Sequence, residues 1–288
     1  MDKGAIMSDL TRRLFAKKES KQIIAYVLLF TAMAWLGPLL LGGTPEKPAL
    51  GFFLWGIAPM LSALLVRWWG KDWKDAGWSP KWRGNQRWYL LSLLIFPALI
   101  FGVLGLGWVT GMLTLAQPTS AWTQLFIGMA VTFLFFATFE EIGWRGFLAP
   151  KMATLHDGLL GHVIVGIIWA SWHFPFISLL LTHTSESIWT LLPRFIIGNI
   201  ALAILMGELR IRTGSVWPAV LMHWIGNTVA NSLLAGQTPI VTLTKGSEFI
   251  SSFGAEGIIP ILVFGVSGYI LYRKRKKVTA LKTSAAPA

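Results

Sequence analysis

Ionisable side chains within an otherwise apolar helix are the first feature of this sequence that points to chemistry. Glu140 and Glu141 directly follow the apolar run from Val131 to Phe139, and Arg145 comes four residues after Glu141. Residues four apart share a helix face, so Arg145 can neutralise Glu141, whereas Glu140 points about 100° away, toward the bundle interior. A desolvated carboxylate placed there suits a general base. The alternative is a helix that ends in an ordinary charged cap at the membrane interface.

Two further apolar stretches carry histidines. His173 precedes Pro175 by two residues, and a proline frees a backbone carbonyl and can kink the helix. His223, Asn227 and Asn231 are spaced four apart, so one face of an apolar helix carries three hydrogen-bonding groups. Either pattern alone also fits hydrogen-bonded packing between helices.

Depth along the helices brings these groups together. Glu140 and His223 each lie roughly 12 Å from the cytoplasmic end of their helix at about 1.5 Å per residue, and His173 lies somewhat deeper. We therefore predict one cytoplasm-facing cavity that contains two carboxylates, two imidazoles and an amide. Such a set is typical of a hydrolytic site or of a divalent-metal site.

The other polar side chains are weaker candidates for a functional site. We expect His156, His162 and His183 to be solvated at the membrane interface, since they fall at the ends of their predicted helix. Ser171 has no base within a helical turn except His173 and is a weak candidate for a nucleophile.

The elements that position these residues must be membrane helices. Of 288 residues, 54% are hydrophobic and only 13% charged, and the mean hydropathy is +0.60. These values exclude a soluble globular domain and a disordered chain. The absence of cysteine excludes disulfides, thiolate metal ligands and a cysteine nucleophile.

Eight apolar segments are long enough to cross a bilayer. They lie at about 22–42, 50–69, 88–115, 122–148, 159–182, 188–209, 216–234 and 257–272. We therefore predict an all-α, polytopic membrane helix bundle of about eight transmembrane helices that forms a single integral membrane domain over residues 1–288.

The formal charge is +12, and the distribution of the basic residues along the chain indicates how the chain is oriented in the membrane. Lysines and arginines are concentrated before the first span and after every second span, which predicts that both termini are cytoplasmic. The longest polar stretch, residues 67–87, interleaves tryptophans with basic residues and is expected to lie on the cytoplasmic membrane surface. We expect the lipid bilayer to be a partner and nucleic acid not to be one.

Together, the motifs resemble the CPBP intramembrane proteases, also called the CAAX protease and bacteriocin-processing or Abi family, which includes the Rce1-type prenyl proteases. The family pattern is Glu-Glu-x-x-x-Arg, then Phe-x-x-x-His, then His-x-x-x-Asn, on successive transmembrane helices. The matching residues in this sequence are Glu140, Glu141, Arg145, His173, His223 and Asn227. The resemblance covers about residues 122–234, which it implies to be the catalytic core. Trp169 stands where the family usually has Phe, which puts the pocket shape in question.

The resemblance implies an intramembrane endopeptidase in which Glu140 and His173 activate water. His223 and Asn227 would then form the oxyanion site, with Glu141 and Arg145 in support. A metalloprotease mechanism uses the same residues, so zinc held by Glu140, His173 and His223 stays open as a cofactor.

The resemblance also implies a class of substrate and a location in the cell. The substrate is a membrane-associated peptide or protein, either prenylated and CAAX-type or bacteriocin-like. The Gly-Trp-Arg-Gly-Phe-Leu continuation at 143–148 looks like prokaryotic members, which implies the cell (inner) membrane. The alternatives are a non-catalytic membrane immunity or scaffolding factor, and a proton-coupled transporter.

Overall fold

The computed structural model describes residues 18–44, 47–234 and 239–284, and this part of the chain is an all-α bundle. Its helices, numbered in chain order, are α1 Lys18–Leu41, α2 Leu50–Gly70, α3 Gln86–Val109, α4 Ser120–Leu155, α5 Leu159–Trp172, α6 Ile188–Thr213, α7 Trp217–Leu234, α8 Glu248–Ser251 and α9 Ile258–Ser284. A 3₁₀ helix, Phe174–His183, follows α5. Two short strands, β1 Leu113–Leu115 and β2 Val241–Leu243, pair antiparallel.

Within the described residues, five helices are long and apolar enough to cross a membrane, namely α1, α2, α3, α4 and α6. The predicted all-α membrane bundle is therefore confirmed. Helix α5 is apolar but only 14 residues long, and α7 carries the polar face of His223, Asn227 and Asn231. The count of eight spans and the side on which the termini lie stay predictions, and basic residues such as Arg12 and Arg13 fall outside the described residues.

Two predicted spans were too long. The third was expected to reach Leu115, but α3 ends at Val109 and Gly111 turns the chain with a φ of +73°, a left-handed conformation that glycine adopts without strain. The residues that follow pair as β1. The fifth was expected to reach Thr182, but its regular α-helix ends at Trp172, because Pro175 cannot donate the next helical hydrogen bond.

Helix α4 positions most of the site and is packed tightly against its neighbours. It changes to a π-helix at Trp144–Leu148, and all five residues of that segment are buried. Gly143 lies directly against Pro59 of α2, where any side-chain carbon would overlap the proline. Helix α4 also packs along α7, which carries His223.

A tryptophan pair attaches the end of α5 to α2. The rings of Trp55 and Trp172 stack at 4.1 Å between centroids, and each indole N–H donates to the other residue's backbone carbonyl, at 2.8 and 3.0 Å. His173 follows immediately. Its backbone position is therefore set by a packed contact between two helices.

The last turn of α2 and the segment after it carry exposed tryptophans, as the sequence indicated. Trp68 and Trp69 are 74% and 77% exposed. Arg67, expected to be a surface charge, is instead buried, because its guanidinium binds Asp75 and the carbonyl of Gly146.

Candidate active site

Glu140 is buried in the bundle, as expected for the carboxylate that Arg145 does not neutralise. Its side chain receives two indole hydrogen bonds, both at Oε2, from Nε1 of Trp169 at 2.8 Å and from Nε1 of Trp144 at 3.3 Å. Oε1 faces His223 instead. The carboxylate is thus held by neutral donors and keeps one oxygen directed at an imidazole.

Glu141 forms the closed ion pair that its spacing predicted. Its Oε1 accepts from Nη1 of Arg145 at 2.9 Å, and both side chains are fully buried. The Arg145 guanidinium also lies over the Trp169 ring, 4.2 Å from its centroid. The same Oε1 lies 2.9 Å from Nδ1 of His223. Glu141 therefore holds a cation and an imidazole in fixed positions.

His223 bridges the two carboxylates. A carboxylate oxygen only accepts, so Nδ1 is the donor to Glu141, and Nε2 lies 3.7 Å from Oε1 of Glu140. The His223 ring also packs edge-on against Trp169, with centroids 5.5 Å apart. The sequence-based expectation that α4 and α7 meet at this depth agrees with the geometry.

His173 lies at the edge of this cluster and makes no direct hydrogen bond to either carboxylate among the described contacts. Its Nδ1 donates to the backbone carbonyl of Trp169 at 3.2 Å, which leaves Nε2 as the acceptor of the neutral ring. The ring packs against Phe195 at 5.0 Å. His173 thus has the tautomer that a proton acceptor requires.

Asn227 lies one turn from His223 and is partly exposed. Its backbone carbonyl accepts from Nδ2 of Asn231 at 2.8 Å, so the Asn231 side chain is used within α7. No described contact joins the Asn227 amide to the carboxylates.

The described residues contain no group of three His, Asp or Glu side chains arranged to hold a metal ion. Of the three residues considered for zinc, Glu140 and His223 are neighbours and His173 is turned toward its own helix backbone. Glu140 also has one oxygen taken by two indoles. The arrangement does not fit a three-ligand zinc site.

The predicted open cavity is replaced by a closed cluster. Glu140, Glu141 and His223 are only 2%, 0% and 6% exposed, because Trp144 and Trp169 fill the space around them. Sequence reasoning missed both tryptophans as partners of Glu140. The available signal was the four-residue spacing between Glu140 and Trp144, which places them on one helix face.

A second buried cluster corrects the expectation for His162. It is not solvated at the interface but buried, and its Nε2 lies 3.1 Å from Oε1 of the fully buried Glu208. Arg275 of α9 pairs with the same carboxylate at 2.9 Å. These contacts join α5, α6 and α9 through residues that are far apart in sequence. No local sequence pattern therefore predicts them. The side chain of His183 lies outside the described part of the chain.

The part of the chain that contains this site is similar to a known protein family. The model of the family described as type II CAAX prenyl endopeptidase, Rce1-like, matches residues 121–229. Over those residues, which are less than half of the chain, the sequence is similar to this family. The Rce1-like segment runs from the start of α4 into α7 and contains all six residues of the three motifs.

One curated relative is a CAAX prenyl protease 2 from Methanococcus maripaludis. It is 28% identical over 107 residues, which are 35% of this chain and 39% of that relative. The matched region thus spans well under half the length of that relative.

Proposed function

We propose that this protein is an intramembrane endopeptidase that hydrolyses a peptide bond of a membrane-associated substrate. The observation that carries the proposal is the buried Glu140, which is held by two indole donors and faces an imidazole within an Rce1-like segment. A carboxylate whose hydrogen bonds come only from neutral indoles is suited to accept a proton in a dry site.

In the proposed reaction, Oε1 of Glu140 and Nε2 of His173 each accept a hydrogen bond from one water molecule, and Glu140 takes one of its protons as the water oxygen attacks the scissile carbonyl carbon. The carbonyl oxygen gains the negative charge, and the stored proton passes to the leaving amine as the carbon–nitrogen bond breaks. Because Glu140 lies on α4 and His173 directly follows α5, the scissile peptide bond must lie between these two elements.

The oxyanion is stabilised in this proposal by His223 and Asn227. An imidazolium at His223 carries N–H groups on both nitrogens: Nδ1 donates to Glu141, and Nε2 supplies the donor to the oxyanion. The Asn227 amide, one turn away, supplies the second donor. Glu141 and Arg145 support the site by holding His223 in place.

We infer that the substrate is a peptide with a prenylated cysteine near its carboxyl end, cleaved in the membrane of a prokaryotic cell. The inference comes from the family description and from the name of the archaeal relative. A bacteriocin-like peptide without a prenyl group is the alternative substrate of the same chemistry.

An assay with purified protein in lipid nanodiscs tests both the role of Glu140 as the base and the need for a prenyl group on the substrate. Wild type, Glu140→Gln and the control Glu19→Gln, which alters a carboxylate in the first turn of α1, are incubated with a farnesylated CAAX peptide and its unmodified counterpart. We expect wild type and control to cleave the farnesylated peptide and Glu140→Gln to be about 10²–10⁴-fold slower.

The possible outcomes distinguish the prenyl requirement from the role of Glu140. Equal cleavage of the unmodified peptide would refute the prenyl requirement while leaving the protease intact. A Glu140→Gln protein as active as wild type would refute the assigned base and favour a scaffolding role for these residues.

A further inference from the structure

Several fully buried polar atoms at the interface of α1, α2 and α4 have no hydrogen-bond partner within the described part of the chain. They are the Tyr26 hydroxyl, the Ser62 hydroxyl, Oε2 of Glu141 and two nitrogens of Arg145, Nε and Nη2. A buried polar group left unpaired destabilises the fold, because it has lost its hydrogen bonds to water without replacement. So many in one place require a common explanation.

These atoms lie at one level of the bundle. The Tyr26 ring stacks on Phe147 at 4.9 Å and meets Trp144 edge-on at 6.1 Å, so it spans the turn of α4 that contains Arg145. Glu141 is one turn away and bonded to Arg145.

Ser62 reaches the same level from α2. Gly56 lies against Phe136 and Pro59 lies against Gly143, so α2 and α4 run in the same direction. Ser62 is one turn beyond Pro59 on the same face, and it is fully buried. It therefore lies beside the turn of α4 that contains Arg145.

A further unpaired side chain connects this level to one end of the bundle. Gln22 is 7% exposed, both of its amide atoms lack a partner among the described residues, and it lies against Gly70 at the end of α2. Gln22 and Tyr26 are four residues apart on α1 and share a face. The nearby amine of Lys18 donates to the Gly70 carbonyl at 3.2 Å, which marks the end of the bundle.

We propose that this interface is a water path that leads from Gln22, past Tyr26 and Ser62, to the Glu141–Arg145 pair beside Glu140. The set mixes donors, acceptors and hydroxyls that do both, which is the requirement for a file of buried waters that each make about three hydrogen bonds. Its role rests on the proposed function, because hydrolysis consumes one water per peptide bond and the site is buried.

Single cysteines probe the path directly, since the chain has none of its own. Ser62→Cys is nearly isosteric, and Ala63→Cys is the matched control, because Ala63 is 1% exposed and lies in the apolar core. Folded protein in nanodiscs is exposed to Ag⁺, which reacts with hydrated thiols, and the thiols left unreacted are labelled with a maleimide after denaturation.

We expect Ser62→Cys to react about 100-fold faster than Ala63→Cys, because a thiol must be hydrated to ionise and react. Equal protection of both cysteines would overturn the water path. The readout does not depend on catalysis, so a protein that fails to cleave peptides can still pass or fail this test.

A second measurement needs no variant. X-ray radiolysis generates hydroxyl radicals from bound water, and oxidation of Tyr26 in the wild type is compared with that of Phe264, which is fully buried against Phe96. Oxidation of Tyr26 at least several times faster supports the path. Tyr26 oxidised no faster than Phe264 would contradict it.

Discussion

The two adjacent glutamates differ in the partners that bind them. Glu141 shares one oxygen between the guanidinium of Arg145 and the imidazole of His223, so its charge is balanced within fully buried surroundings. Glu140 is held at Oε2 by two neutral indoles and keeps Oε1 toward His223. This difference in partners is the physical reason to assign Glu140 the proton transfer and Glu141 the structural role.

A double-mutant cycle tests the structural role of the pair. Arg145→Met leaves Glu141 without its cation, and loss of one partner of a buried ion pair costs about 3–5 kcal/mol. We expect Glu141→Gln combined with Arg145→Met to recover a large part of that loss, measured as the free energy of unfolding in detergent. Additive losses from the two substitutions would show that they do not act as a pair.

Trp169→Phe isolates the indole hydrogen bond to Glu140. Phenylalanine keeps an aromatic ring beside Arg145 but removes the donor at 2.8 Å. We expect the free energy of unfolding to fall by about 1 kcal/mol, the scale of a buried hydrogen bond within a membrane protein. An unchanged thermal midpoint would show that the indole contact contributes nothing to the fold.

Residue patterns predicted part of this site. The spacing of Glu141 and Arg145 predicted their ion pair, and helix depth predicted that Glu140 and His223 are neighbours. The bond from His223 to Glu141, and the contacts of Tyr26, join residues far apart in sequence, so they depend on how helices rotate against one another. No periodicity within a single helix carries that information.

At the scale of elements, α4 holds the site because it crosses α2 at close range. Gly143 is the contact point, and a Cβ there would lie 2.5 Å from the Cβ of Pro59. The π-helical turn that follows sends Trp144 and Arg145 toward the cluster and away from the lipid side. The position of Glu140 thus depends on a glycine that does no chemistry.

A matched pair of glycine substitutions tests this crossing. Gly143→Ala forces α2 and α4 apart, so we expect a loss of about 1–3 kcal/mol in unfolding free energy, together with reduced cleavage. Gly128→Ala, on the same helix with open space around it, should be neutral or slightly stabilising. Equal thermal midpoints for the two variants would argue against a tight crossing.

The elements themselves follow from apolar runs of sufficient length, which is why the helices fall where the hydropathy placed them. Their ends were harder to predict. Val109 and Trp172 end regular α-helices at a turn glycine and before a proline, whereas hydropathy continues past both points. Local backbone chemistry decided the boundary in each case.

At the scale of the whole molecule, buried charges tie together the end of the bundle next to the site. The amine of Lys151 binds Asp72 at 2.6 Å, and Arg67 joins the same segment to Gly146 of α4. The hydrogen bond from Lys151 holds the pKa of Asp72 below its ordinary value of 3.8. Asp72 lies in the loop that follows α2.

The lowered pKa of Asp72 makes part of the stability of the fold sensitive to acid. Because the pKa of Asp72 is lower in the folded chain, the ion pair stabilises the fold above the unfolded value of 3.8 and is lost as the pH falls through the folded pKa. We expect Asp72→Asn to be less stable than wild type at about pH 7 and the difference to shrink at about pH 3. A difference that grows on acidification would contradict the assigned sign.

The most direct test of the central claim is terminal-peptide mass spectrometry of membranes from cells that express wild type or Glu140→Gln at matched levels. It detects cleavage of any protein in those membranes, so no substrate has to be chosen beforehand. The account predicts new protein termini that occur only with the wild type and that share a cleavage sequence. Identical termini in both samples, with both proteins folded, would contradict it and favour an immunity or scaffolding role.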